Sequence, residues 1–409
     1  MASTISPPLP IYLDHNATTP VDDRVLAAML PYFSQVFGNA ASLSHSFGTD
    51  AADAVERARE QVAQLIGADP REVVWTSGAT ESNNLAVIGA ANMYAREWGR
   101  GNHIITSRTE HSAVLDPCRH LEKQGIQVTY IKPNPGSGGV ITADQVEQAI
   151  RDDTILVSIM WANNETGTIS DVPSIGRLCK AHDVIFHTDA TQFVGKLPVD
   201  VNEAGIDLLS CSGHKIYGPK GVGVLYARRR GPRVRLVPII HGGGHERGMR
   251  SGTLNVPGIV GFGKACEVCM DDMQSEAIRV AKLRDHLESG IMDQLDDVEI
   301  NGDRERRIPT TSNMGFGGVS GERLLGELTD LAVSIGAACT SAKSKPSHVL
   351  RNIGVREDLQ QSSVRFSLGR STTESQIEYA IEHVVTAVKR LRSMGPVAAV
   401  ACELDADAV

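Results

Sequence analysis

The chain has 409 residues, enough for two domains or a large domain with a smaller one attached, and its 41% hydrophobic and 22% charged residues are those of an ordinary globular protein. A formal net charge of -9 argues against a nucleic-acid-binding surface. No apolar stretch approaches the ~20 residues of a membrane span, and residues 1–8 lack the basic-then-apolar pattern of an export signal, so no membrane partner and a cytoplasmic location are expected.

In chain order, residues 1–20 are expected to form an N-terminal segment packed on a small domain. From 21 to about 263, short apolar runs alternate with helical periodicity. The runs 71–75, 103–106, 127–131, 155–160, 184–187, 207–210 and 222–226 predict strands, and 50–66 and 112–124 predict helices between them. Such alternation predicts an α/β domain with a mostly parallel sheet covered on both faces. The arginine run 228–230 reads as a solvated turn. A long amphipathic helix is expected over about 264–295. After it, 298–300, 312–316 and 364–368 predict strands, and 322–331 and 374–393 predict helices. Together they make a smaller α+β domain over 264–394, and 395–409, without periodicity, reads as a mobile tail.

Seven cysteines without regular spacing do not make a disulfide framework. Cys118, Cys179 and Cys211 lie in apolar-periodic contexts and read as core. Cys266 and Cys269 form a CxxC inside a helical run with no second ligand pair, which predicts helix packing and no metal. The glycines 242–244 between His241 and His245 read as a flexible loop, because two histidines without carboxylate or thiolate companions are a poor ligand set.

Two polar groups fall where predicted strands end. Asp189 follows the apolar Val184-Ile185-Phe186, and Lys215 follows a second apolar run in Ser212-Gly213-His214-Lys215. Open α/β sheets carry their chemistry at such ends. A lysine able to form a Schiff base, beside an aspartate able to hold a pyridinium nitrogen protonated, is the minimum equipment for pyridoxal 5'-phosphate. Residues 76–84 join a predicted strand to a predicted helix through small side chains, which lets N–H groups and hydroxyls close on a phosphate. The same residues would also serve as a plain helix cap.

These motifs, in this order, resemble the cysteine desulfurase family of fold-type I pyridoxal-phosphate enzymes, in particular its iron–sulfur-cluster type. The likeness runs from Ile11 to about Arg392 and is densest at 76–84, 109–111, 162–167, 187–192, 212–221, 241–253, 338–341 and 365–370. It implies that Lys215 links to the cofactor, Asp189 pairs with its pyridinium nitrogen, His111 stacks on the ring and moves protons, and Gln192 contacts the ring hydroxyl. It implies that Ala79, Thr80, Ser212 and His214 hold the phosphate, and that Thr253 reaches the phosphate of the other subunit in a homodimer. Asn164 would meet cofactor and substrate, sharing the substrate carboxylate with Arg365. Cys339, in a loop of small polar residues, would take sulfur from L-cysteine as a persulfide, leave alanine, and pass the sulfur to an acceptor or iron–sulfur scaffold protein, for iron–sulfur cluster assembly or tRNA thiolation. Gly336-Ala337-Ala338 lacks the serine usual before this nucleophile, a form also seen in selenocysteine lyases, which stand as the alternative.

Overall fold

The computed structural model describes residues 7–335 and 346–395. Cys339, Cys402 and the tail beyond residue 395 therefore lie outside the described residues. A short strand, β1 (Ile11–Tyr12), opens the chain. Seven strands then build one sheet: β2 (Val73–Thr76), β3 (His103–Ser107), β4 (Gln127–Ile131), β5 (Thr154–Ser158), β6 (Ile185–Asp189), β7 (Leu208–Ser212) and β8 (Gly223–Ala227). Their order is β2-β8-β7-β6-β5-β3-β4, and β8 alone runs against the rest.

Successive strand residues feed opposite cores. Trp75, Ile105, Val157, Phe186, Leu209 and Tyr226 face one, while Val74, Ile104, Leu156, Ile185, Leu208 and Leu225 face the other. Burial on both faces is why these strands read as continuous apolar runs rather than alternating ones. The helices Ser46–Ile66 and Ala79–Ala91 cover opposite faces, giving the α/β class that the alternation predicted. Because the parallel strands point one way, the segments after β2, β3, β6 and β7 emerge along one edge.

The second sheet contains β9 (Val298–Ile300), β10 (Thr311–Phe316), β12 (Ser334–Ile335) and β13 (Ser363–Ser367), all antiparallel in the order β12-β13-β10-β9. Its core includes Phe316 and Phe366 and takes Ile11 and Leu13 from the N-terminal segment. There β1 pairs in parallel with β11 (Leu331–Ala332). The helix Val256–Met292 gives Phe262 and Cys266 to the first core and Leu283 and Leu287 to the second.

Three local expectations need correction. The long helix begins at Val256 rather than near 264, because Asn255 caps Gly258 N–H and Pro257 suits a first turn. The helix expected over 322–331 ends at Glu327, since Leu331 is drawn into the pair with β1. Arg228 is no solvated turn residue: it donates to the carbonyls of Val201 and Ile206 and pairs with Asp207 at 3.2 Å.

The glycine loop is pinned at its far side. Arg59 grips the Glu246 carboxylate through both terminal nitrogens at 2.8 and 2.9 Å, and Glu246 also accepts the Trp75 N–H at 2.9 Å. Both partners are buried. The pair holds Glu246 and Arg247 at φ 48° and 57°, a left-handed conformation that costs a non-glycine residue energy and needs such an anchor. Removing one partner of a buried pair costs about 3–5 kcal/mol because the other charge is stranded. Arg59→Met should therefore lower the urea midpoint sharply, and adding Glu246→Leu should recover much of the loss.

Candidate active site

Asp189 ends β6 and is buried. Its Oδ2 accepts from Asn83 Nδ2 at 2.7 Å and its Oδ1 from Thr191 N–H at 3.0 Å, so the carboxylate is held from two sides. Asn83 lies on the helix that follows β2. No sequence signal singled it out beyond its place in the 76–84 run, because its role depends on a contact across 106 positions.

The junction before that helix is open to an anion. Gly78 at the N-cap offers no side chain, so the N–H groups of the first turn, including those of Ala79 and Thr80, have no side-chain cap. Ser212 is close: a Cβ built on Gly78 would stand 3.9 Å from its hydroxyl. Gly223 on β8 makes the packing possible, since a Cβ there would come within 2.5 Å of Gly78 Cα. His214 faces Thr18 Oγ1 at 3.1 Å, and burial with Lys215 and Lys220 pushes its pKa to about 4, leaving the ring neutral.

Lys215 donates from Nζ to the carbonyls of Asn16 at 2.6 Å and Ala17 at 2.8 Å. Gln192 Nε2 reaches the same Asn16 carbonyl at 2.9 Å. His111 caps the helix Ser112–Glu122: its Nδ1 accepts from Ala113 N–H at 3.1 Å, which assigns the proton of the neutral ring to Nε2. An open groove of about 460 Å³ passes Thr80, Asn84 and His111. Preceding His111, Glu110 is buried, accepts Met160 N–H at 2.7 Å, and burial holds its carboxyl well above the usual range.

Arg365, on β13, donates to the Asn164 carbonyl at 2.9 Å and to Asp14 Oδ1 at 2.7 Å. Its Nε is buried with no partner among the described residues, an N–H left for a further acceptor. Thr253 is exposed just before the helix Val256–Met292, and among the described residues no hydrogen bond ties it to its own pocket. Thus the structure brings Lys215, Gln192 and Asn164 together on Asn16, with Arg365 joined through the Asn164 carbonyl, Asp189 three residues before Gln192 at the end of β6, and the helix-cap site beside Ser212. Cys339 lies outside the described residues.

The family model described as aminotransferase class-V matches residues 11–380. A cysteine desulfurase IscS from Klebsiella pneumoniae is 55% identical over 390 residues, 95% of both chains. The chain belongs to the cysteine desulfurase family. Among solved structures, a NifS-like protein superposes with TM-score 0.85 at 38% identity, covering 93% of this chain and 100% of that one. SspA in complex with cysteine superposes with TM-score 0.77 at 40% identity, covering 88% and 98%.

The family takes pyridoxal 5'-phosphate, and the pocket of this desulfurase-family chain fits it. The uncapped helix start beside Ser212 suits a phosphate, Asp189 supplies an anchored carboxylate, and Lys215 supplies the amine. Thr191 Oγ1 and Asn83 Oδ1 are also buried without partners among the described residues. A hydrogen bond to a charged group is worth about 1.5–3 kcal/mol. Asn83→Ala should therefore weaken cofactor retention and turnover about ten- to hundredfold while circular dichroism stays unchanged.

Proposed function

We infer that this chain is a pyridoxal-phosphate-dependent cysteine desulfurase serving iron–sulfur assembly: it converts L-cysteine to L-alanine and keeps the sulfur as a persulfide. The sum balances, since the cysteine C–S bond is replaced by C–H, a protein thiol gains an S–S bond, and the thiol proton is retained on the persulfide. The bound cofactor supplies an electron sink and a covalent handle for the substrate amine. Lys215 would hold the cofactor, and its amine, once free, would take the α-proton. Asp189, braced by Asn83 and Thr191, keeps the ring nitrogen protonated. Arg365 and Asn164 orient the substrate carboxylate, for which a planar guanidinium is well matched. His111 offers Nε2–H for proton movement.

The observation that carries this reading is where the ends of the Cys339 segment stand. On one side, Ser334 pairs opposite Arg365. On the other, Ser347 Oγ meets Glu165 Oε2 at 2.5 Å, one residue from Asn164, and His348 donates to the Glu110 carbonyl at 2.9 Å, next to His111. The twelve residues between Ser334 and Ser347 start and finish beside the groups assigned to the substrate. The five described cysteines support the choice of Cys339: all are buried, and burial pushes each thiol upward, to about 12 for Cys118, Cys211 and Cys269.

We read the protein as a cytoplasmic homodimer in which Thr253 serves the partner's phosphate site, with sulfur passing to an acceptor or scaffold protein. Supporting this, Thr253 is exposed, the apolar Phe33, Phe37, Leu43 and Phe47 are more than half exposed, and no helix among the described residues is long and apolar enough to cross a membrane. Light scattering should give twice the 43.9 kDa of one chain.

With L-cysteine, the purified protein should release alanine and carry one extra sulfur on the Cys339 peptide by mass spectrometry. Cys339→Ser should reduce alanine to background while cysteine still alters the cofactor spectrum, because a hydroxyl is a poor nucleophile toward sulfur. Persulfide on another residue at the wild-type rate would overturn the assignment. Brisk turnover of selenocysteine by Cys339→Ser, without cysteine turnover, would favour the lyase reading.

A further inference from the structure

A second lysine stands in the pocket, and none of the roles above uses it. Lys196 follows Gln192 by four positions in the turns after β6. Its Nζ donates to Gln192 Oε1 at 2.5 Å and to Asn16 Oδ1 at 3.3 Å. Asn16 is also the residue whose carbonyl accepts from Lys215 and Gln192. The two amines are therefore tied to opposite ends of one buried asparagine.

The nearby carboxylates are committed elsewhere. Asp14 pairs with Arg365, and Asp22 and Glu276 both pair with Arg370. Lys196 and Lys215 line a cavity of about 30 Å³ together with His15, Tyr217, Glu276 and Arg370. Burial, Lys215 and Arg365 push Lys196 down to about 7, and burial with Lys196 pushes His15 to about 4, so His15 stays neutral. The Lys196 charge is thus held by two amide oxygens, at a point where its protonation changes near neutral pH.

An ammonium has donors only, so the amide oxygen of Gln192 must face it. That leaves one N–H of Gln192 Nε2 for Asn16 and the other free for the pocket. We propose that Lys196 is a positioning residue: it fixes the Gln192 amide with its NH2 group toward the cofactor site and adds a positive charge beside Lys215. The proposal rests on Lys215 carrying the cofactor and Gln192 meeting its ring. A positive charge there makes protonation of the cofactor-linked nitrogen less favourable. Removing it should move that titration upward.

The test is a pH titration of the visible absorption band of the cofactor-loaded protein. Lys196→Met should raise the midpoint by about one pH unit, and Lys196→Arg, which keeps charge and donors, should stay within a few tenths of wild type. Lys196→Gln keeps an amide donor without the charge; it should titrate high as well, and it is read in place of Lys196→Met if that variant does not fold. A wild-type midpoint in the charge-removing variants, in protein whose band still vanishes with Lys215→Ala, overturns the role of Lys196. A band that survives Lys215→Ala overturns the underlying reading of Lys215 instead.

Discussion

The active site depends on one buried asparagine. Asn16 donates its backbone N–H to Ser367 Oγ and its side-chain amide hydrogens to the Asn164 carbonyl and Thr311 Oγ1. Its carbonyl accepts from Lys215 and Gln192, and its Oδ1 from Lys196. Thr311 and Ser367 belong to the second sheet, whereas Lys215, Gln192 and Lys196 follow strands of the first. A buried amide left unpaired is costly, so the satisfied set resists any relative shift of the two cores. The Lys215 amine and the strand that carries Arg365 share one frame.

Charge in this pocket is distributed unevenly. Arg365 and Arg370 are balanced by Asp14, Asp22 and Glu276, whereas Lys196 leans on two amide oxygens. His214 is held neutral by burial with Lys215 and Lys220, His15 by burial with Lys196, and burial holds the Glu110 carboxyl well above its usual range. The helix start at Gly78 adds a fixed positive end for phosphate without a further titratable group.

The described residues on either side of the Cys339 segment stand beside the candidate site, Ser334 opposite Arg365 and Ser347 against Glu165. Ser347 to Glu165 and His348 to Glu110 fasten its exit beside the residues that precede His111 and follow Asn164.

Much was legible along the chain because it depends on local chemistry. Apolar runs of four or five residues separated by helical periodicity are enough for a doubly covered parallel sheet, and a polar Asp189 or Lys215 after such a run marks the catalytic edge. The likeness of whole motifs carried the family and the cofactor. What the sequence could not assign were residues whose meaning lies in partners far along the chain. Asn16, Asn83, Lys196 and Glu246 carry no local signal of the contacts they make. Each acquires its role only when folding brings a partner from tens to hundreds of positions away. Burial then makes that single hydrogen bond or ion pair decisive, and only the tertiary structure settles which partner it is.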